Sequence, residues 1–226
     1  MNNAAAKRAL AIVNGDDIHH DLISAVSVFQ TLGTEAGFVT GRGAGMQRFV
    51  NPTPVTADAD VYLLYTSGGQ FSTAQQSALS DLVAAGKGVV AVHATNVLAT
   101  VGDRLDPADR PMYELLGNRY LSHGPGHHEG QFRVRMTGAH PVTDGVSDFE
   151  LFDEYYEFEF ADDNVTVLAE RERDDGRVIP VLYARQVGAG RVCYLALGHD
   201  MRAWGQPPFR RIVRQAVAWA GKSEQK

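Results

Sequence analysis

"ADVYLLYTSGGQFSTAQQSALSDLVAAGKGVVAVHA", residues 59–94, decides the fold. Two continuous apolar runs, "ADVYLLYT" (59–66) and "GVVAVHA" (88–94), bracket a segment of helical character. Unbroken apolar runs of this length read as strands buried on both faces, as in a parallel sheet. Between them Ser72 stands three residues before Gln75, the capping-box pattern that opens a helix. Ala78, Leu79, Leu82 and Val83 recur at helical spacing, and Gly86 and Gly88 close the segment. Strand, helix and strand in that order call for a crossover between parallel strands.

The pattern extends toward the N-terminus. "RALAIVN" (8–14) is another buried strand, ending at Gly15. In "DLISAVSVFQTLGTEAG", Leu22, Ala25, Val26, Phe29 and Leu32 form a helical apolar face, with Gly33 or Gly37 as its end. "GFVTGRG" reads as a short second strand. Toward the C-terminus the character changes. "QFRVRM" alternates, and so does "YEFEFA", with Tyr156, Phe158 and Phe160 on one side and Glu157 and Glu159 on the other. These strands, with "NVTVLAERE", read as half-exposed and antiparallel. "VIPVLYARQ" and "GRVCYLALG" flank the turn "VGAG" as a hairpin, and a last helix runs from about Phe209 to Ala220. No repeat or linker divides the chain, so residues 1–226 read as one α/β domain. Its open, mostly parallel sheet is flanked by helices and carries added antiparallel strands.

Bulk properties exclude several classes. The net charge of −6 comes with scattered Lys and Arg, so no basic stripe invites nucleic acid. The apolar runs are of strand length, too short to span a bilayer, and "ALAIV" is too short for a signal-peptide core. A cytoplasmic protein is expected. The single cysteine, Cys193, excludes an internal disulfide and a cysteine-based zinc cluster. Its apolar neighbours in "RVCYLAL" mark it as buried rather than nucleophilic.

In open α/β sheets, ligands bind beyond the carboxyl ends of the parallel strands. The residues there are unusual. The first strand is followed by "GDDIHHD", with His19, His20 and Asp21; the next buried strand by Thr66, Ser67, Gly68 and Gly69; the next by His93; the last by "GHD", with His199 and Asp200. Each also has a bland reading: His93 as a core histidine, His19 or His20 as a helix start, the Gly pair as a tight turn, His199-Asp200 as a solvated turn. Backbone N–H groups of the Gly68-Gly69 turn could face a ligand. "YLSHGPGHHEG" (120–130) adds His123, His127 and His128 in a Gly/Pro-rich loop. Adjacent His127 and His128 on a strand would diverge, so at most one of them is expected to join a site, with His123 as the loop's expected functional member. His140, before Pro141, reads as part of a structured turn.

The quoted stretch resembles the corresponding segment of ThuA-like, or trehalose-utilisation, proteins. The resemblance continues through "YELLGNRYLSHGPGHHEGQFRVRM", "HPVTDGV", "FDEYYEF" and "GAGRVCYLALGHDMRAW". It implies the class I glutamine-amidotransferase-like fold, a flavodoxin-like arrangement. In true amidotransferases a cysteine occupies the elbow after a central strand; here His93 stands there, which makes a glutaminase improbable. The "GHD" of residues 198–200 resembles the place of the amidotransferase histidine. His123 matches the family's G-H-P position, with Ser122 in place of Gly. Of His19 and His20, the latter fits the family's H-D opening because Asp21 follows.

The family name implies trehalose or related keto-disaccharide catabolism. The candidate catalytic set is His20, His93, His123, Glu154, His199 and Asp200. Thr66, Gly68, Gly69 and Trp204 are candidates for substrate binding, with Tyr155 and Tyr156 as further sugar-stacking candidates. Imidazole suits proton abstraction beside a ketone, with Asp200 or Glu154 orienting it. The resulting enolate needs a stabilising charge, and one divalent ion, zinc or manganese, is a candidate cofactor with His93, His123, His199 and Glu154 as its ligands. The expected partner is a small sugar, with a homo-oligomer left open. The alternative is a non-catalytic carbohydrate-binding or regulatory domain on the same fold.

Overall fold

The computed structural model describes residues 6–15, 18–67 and 71–222. In chain order its strands are β1 (Arg8–Asn14), β2 (Val39–Ala44), β3 (Val61–Thr66), β4 (Gly88–Val92), β5 (Thr100–Val101), β6 (Arg104–Leu105), β7 (Asn118–Ser122), β8 (Glu129–Met136), β9 (Phe149–Glu154), β10 (Glu157–Phe160), β11 (Thr166–Glu172), β12 (Val178–Val187) and β13 (Gly190–Leu195). The helices are α1 (Leu22–Glu35), α2 (Pro54–Ala57), α3 (Thr73–Ala84), α4 (Arg110–Leu116), α5 (Met201–Trp204) and α6 (Pro207–Ala220).

One sheet dominates, in the order β2-β1-β3-β4-β13-β12-β11-β8-β9. The first five strands run parallel, and every later pairing is antiparallel. The antiparallel share is thus larger than "mostly parallel" implies. The parallel half has the buried character its apolar runs require: β3 and β4 are buried at every residue. Helices α1 and α6 cover one face of the parallel half, and α3 and α4 pack on β13 from the other. A separate ribbon pairs β7 with β10.

Local signals account for most boundaries. Ser72 accepts from the Gln75 N–H while the Gln75 side chain accepts from the Ser72 N–H, so the capping box is complete. Asp21 caps α1 through the Ser24 N–H. Gly33 does not end α1 but lies inside it. A Cβ there would come within 2.6 Å of the Thr40 hydroxyl, so Gly33 permits the close approach of α1 to β2.

Strand order positions the site. The chain moves from β1 outward to β2, then returns to place β3 on the other side of β1. Such a reversal opens a crevice at the carboxyl ends, where the segment after β1, the turn after β4 and the loop after β13 converge. Among the described residues no helix is long and apolar enough to cross a membrane.

Candidate functional site

His93 occupies the sharp turn after β4. Its φ is +50°, uncommon for a residue with a Cβ. The Tyr194 hydroxyl donates to the His93 carbonyl (2.9 Å), and the Thr95 hydroxyl donates to the Val92 carbonyl (2.7 Å), which holds the turn. The ring has no exposed surface and stacks on Tyr156 at 4.1 Å. Nδ1 lies 3.0 Å from the Ala196 carbonyl. A carbonyl only accepts, so Nδ1 carries the hydrogen and Nε2 presents its lone pair in the neutral ring. Burial lowers the pKa to about 4, against the pull of the neighbouring Glu154 carboxylate and Ala196 carbonyl, so the ring is neutral at pH 7.

Glu154, the last residue of β9, faces that nitrogen. Its Oε2 lies 3.2 Å from His93 Nε2, 3.2 Å from His123 Nε2 and 3.5 Å from His199 Nδ1. Burial opposes its ionisation, but the contacts with His93, His199 and His123 prevail and hold it well below the usual carboxylate range. His199 Nδ1 is also 3.3 Å from His93 Nε2, and burial lowers the pKa of His199. The His199 carbonyl accepts from the Tyr65 hydroxyl at 2.7 Å.

His20 is the member of the doubled pair that enters the cluster. Its ring centroid is 5.2 Å from that of His93 and 4.9 Å from that of His199, whereas His19 is exposed. One ligand atom each from His20, His93, Glu154 and His199 all lie within 4.8 Å of one another. His123 is outside that set. It touches Glu154 through Nε2, and its Nδ1 lies 2.9 Å from the Tyr120 hydroxyl. The metal candidates inferred from sequence therefore change: His20 replaces His123. His128 does not begin a strand, since β8 starts at Glu129; its ring stacks on His123 at 4.7 Å. His123 and His127 line a cleft of about 480 Å³ with Tyr155, Arg171 and Arg173.

Four candidates play other parts. Trp204 is 1 % exposed, packed edge-on against Phe29 and Phe209, and donates Nε1–H to the Gly198 carbonyl (2.9 Å), so it has no face for a sugar. Tyr156 is buried as the stacking partner of His93. Thr66 is fully buried, its N–H donating to the Thr95 hydroxyl. Asp200 caps α5 and pairs with Arg202 instead of orienting His199. Gly68 and Gly69, like Asp16 and Asp17, fall outside the described residues. His140 does form a turn, its Nδ1 accepting from the Val142 N–H.

Sequence reasoning missed Asp153. It is buried and accepts N–H bonds from Gly198 (2.6 Å), His199 (3.0 Å) and Glu154 (2.9 Å). It therefore ties the end of β9 to the loop after β13. Burial pushes its pKa up to about 7, against those three N–H donors. Tyr120 and Arg171 were missed as well. Arg171 is 4 % exposed and lies over the Tyr155 ring at 4.8 Å. The only sequence signal for Asp153 was its place beside Glu154.

Comparison with known proteins places this geometry in a family. A ThuA-like protein from Bacteroides uniformis superposes with a TM-score of 0.77 at 18 % identity, over 97 % of this chain and 94 % of that one. One from Parabacteroides merdae gives 0.74 at 18 %, over 98 % and 92 %. A β-galactosidase from Rahnella sp. R3 gives 0.62 at 14 %, with 97 % of this chain matching only 32 % of that enzyme. At these identities the likeness is one of fold. No curated protein matches the chain. The family model for ThuA, described as trehalose utilisation, matches residues 8–220, a span that carries every member of the histidine–carboxylate cluster. The chain belongs to the ThuA family.

Proposed function

We propose that this protein is an enzyme of trehalose or related keto-disaccharide catabolism that moves protons by histidine–carboxylate chemistry. One observation carries the reading: the Glu154 carboxylate meets three imidazoles, His93, His123 and His199, within 3.5 Å. A structural role needs no such convergence at the mouth of a crevice, and clusters that shift the pKa of several members are typical of functional sites. The family description, trehalose utilisation, supports a sugar as the substrate class.

His123 is the proton carrier in this reading, because it both touches Glu154 and lines the cleft. A keto-sugar has an acidified C–H beside its ketone. An imidazole that takes this proton becomes a cation, and the carboxylate 3.2 Å away stabilises it. The substrate sits in the cleft, where Tyr155, backed by Arg171, offers a ring surface. No step calls on Cys193, so glutamine hydrolysis is not the activity.

The test is exchange in heavy water. Incubated with keto-disaccharides, the protein should replace the hydrogen beside the ketone with deuterium, read by proton NMR. His123→Asn should slow exchange by about 10²-fold or more, the usual contribution of one acid–base group. Saturable binding of the sugar without exchange or turnover would instead identify a carbohydrate-binding domain.

A further inference from the structure

The atoms that face one another in the cluster leave an electrostatic gap. His93 gives its ring hydrogen to Ala196, so Nε2 offers a lone pair. Opposite it, at 3.2 Å, stands a carboxylate oxygen that also has only lone pairs. His199 Nδ1 is 3.3 Å from the first and 3.5 Å from the second. A hydrogen on His199 can point at one of them but leaves the other contact unrelieved. A second hydrogen on His93 would fill the gap, but only by placing a full charge on a ring with no exposed surface.

The three separations have a simple geometric meaning. Zinc holds nitrogen and oxygen ligands at about 2.0–2.1 Å in a tetrahedron, and the edge of such a tetrahedron is about 3.3–3.4 Å. The observed triangle of 3.2, 3.3 and 3.5 Å is one face of it. His20, with a ring nitrogen within 4.8 Å of the other three ligand atoms, stands at the remaining corner. The backbone carbonyl on His93 Nδ1 is the outer partner that metal-binding histidines usually have, fixing tautomer and ring orientation.

We propose that His93 Nε2, His199 Nδ1 and Glu154 Oε2 form a preassembled face for one divalent transition-metal ion, with His20 at the fourth position and His123 outside the coordination sphere. Three imidazoles with one carboxylate favour zinc over manganese and over the oxygen-seeking magnesium and calcium. The arrangement divides labour: the ion, held by four protein ligands, would take an oxygen of the substrate by expanding to five-coordination, while His123, in contact with Glu154 but outside the coordination sphere, carries the proton. The ion's purpose rests on the enzymatic reading above; its binding does not.

Cobalt(II) is the probe, because tetrahedral cobalt absorbs visible light far more strongly than octahedral cobalt. Chelator-stripped protein titrated with Co²⁺ should show an intense visible band that saturates at about one equivalent and is bleached by Zn²⁺. His93→Gly suits the positive φ of that turn and should keep the fold, checked by circular dichroism. It and Glu154→Gln should each weaken binding by about a hundredfold or more, whereas His123→Asn should leave it within about threefold. No saturable band, a weak octahedral spectrum, or an equal loss in His123→Asn would overturn the assignment. Zinc binding without keto-sugar exchange would keep the site and remove the enzymatic reading. Full exchange by stripped protein that binds no cobalt would do the reverse.

Discussion

Trp204 and Asp153 show how single residues hold a site without touching its chemistry. Trp204 packs beneath the loop that carries His199 and pins that loop through the Gly198 carbonyl. Trp204→Phe should therefore lower stability by about 2 kcal/mol, from lost volume and one lost hydrogen bond, and leave the affinity for sugar nearly unchanged. Urea unfolding beside a binding titration checks this. A sugar-stacking tryptophan would give the opposite result, weak binding and normal stability. Asp153→Ala removes the acceptor of three backbone N–H groups, two of them in that same loop. A loss of about 3 kcal/mol is expected, since each buried donor left unmet costs about 1–3 kcal/mol. Asp153→Asn keeps an acceptor oxygen and should lose less, so the ratio of the two separates hydrogen bonding from bulk.

At the level of elements, the ribbon of β7 and β10 delivers His123 to the cluster. Its anchors are Phe158 and Phe160, which pack on Tyr194 and Tyr183 of the main sheet. The loop beyond β7 turns at Gly124, where φ is +76° and a Cβ would lie 2.5 Å from Glu157 Oε1. Gly124→Ala should reduce keto-sugar exchange severalfold by displacing His123, yet cost only about 1 kcal/mol of stability, because the loop is at the surface. Measuring both in one variant tests whether the loop is a positioning device. This element also marks where sequence reading stopped. Alternation in "YEFEFA" revealed which side of β10 faces inward. It could not reveal that His123 meets Glu154, because that contact depends on a strand pairing between Asn118–Ser122 and Glu157–Phe160, which are distant in sequence. The strand-end histidines were legible because the apolar runs before them are unbroken. Trp204 was misjudged because a four-residue helix is too short to display a buried face.

For the molecule as a whole, the sheet has two halves that differ in kind, and the sequence differs in kind to match. Continuous apolar runs identified the parallel half; alternating runs identified the antiparallel one. The strand order was not legible, because nothing in "GRVCYLALG" says that it pairs with β4 as well as with β12. That double pairing buries Cys193 completely, and burial pushes its thiol pKa far up. In native protein Cys193 should resist a disulfide reagent and react only as fast as the molecule unfolds globally, followed by absorbance of the released thiolate. Cys193→Ser should alter keto-sugar exchange little, and neither form should release ammonia from glutamine.

β13 is the seam between the two halves, and among the described residues it is the last strand in chain order. Until it docks, β4 and β12 each present an open edge, and such edges are hazards for mispairing between chains. Closure must also bring His93 to the carbonyl of Ala196, 103 residues away. The hydrogen that fixes the tautomer of His93 therefore finds its acceptor only once the segment after β13 has been made. A chain that lacks β13 and the loop after it cannot hold the cluster in working form, and long-range closure of this kind makes for slow folding. Any ion that occupies the site would arrive after the sheet has closed, and would then act as a latch on a finished molecule rather than as a seed for its assembly.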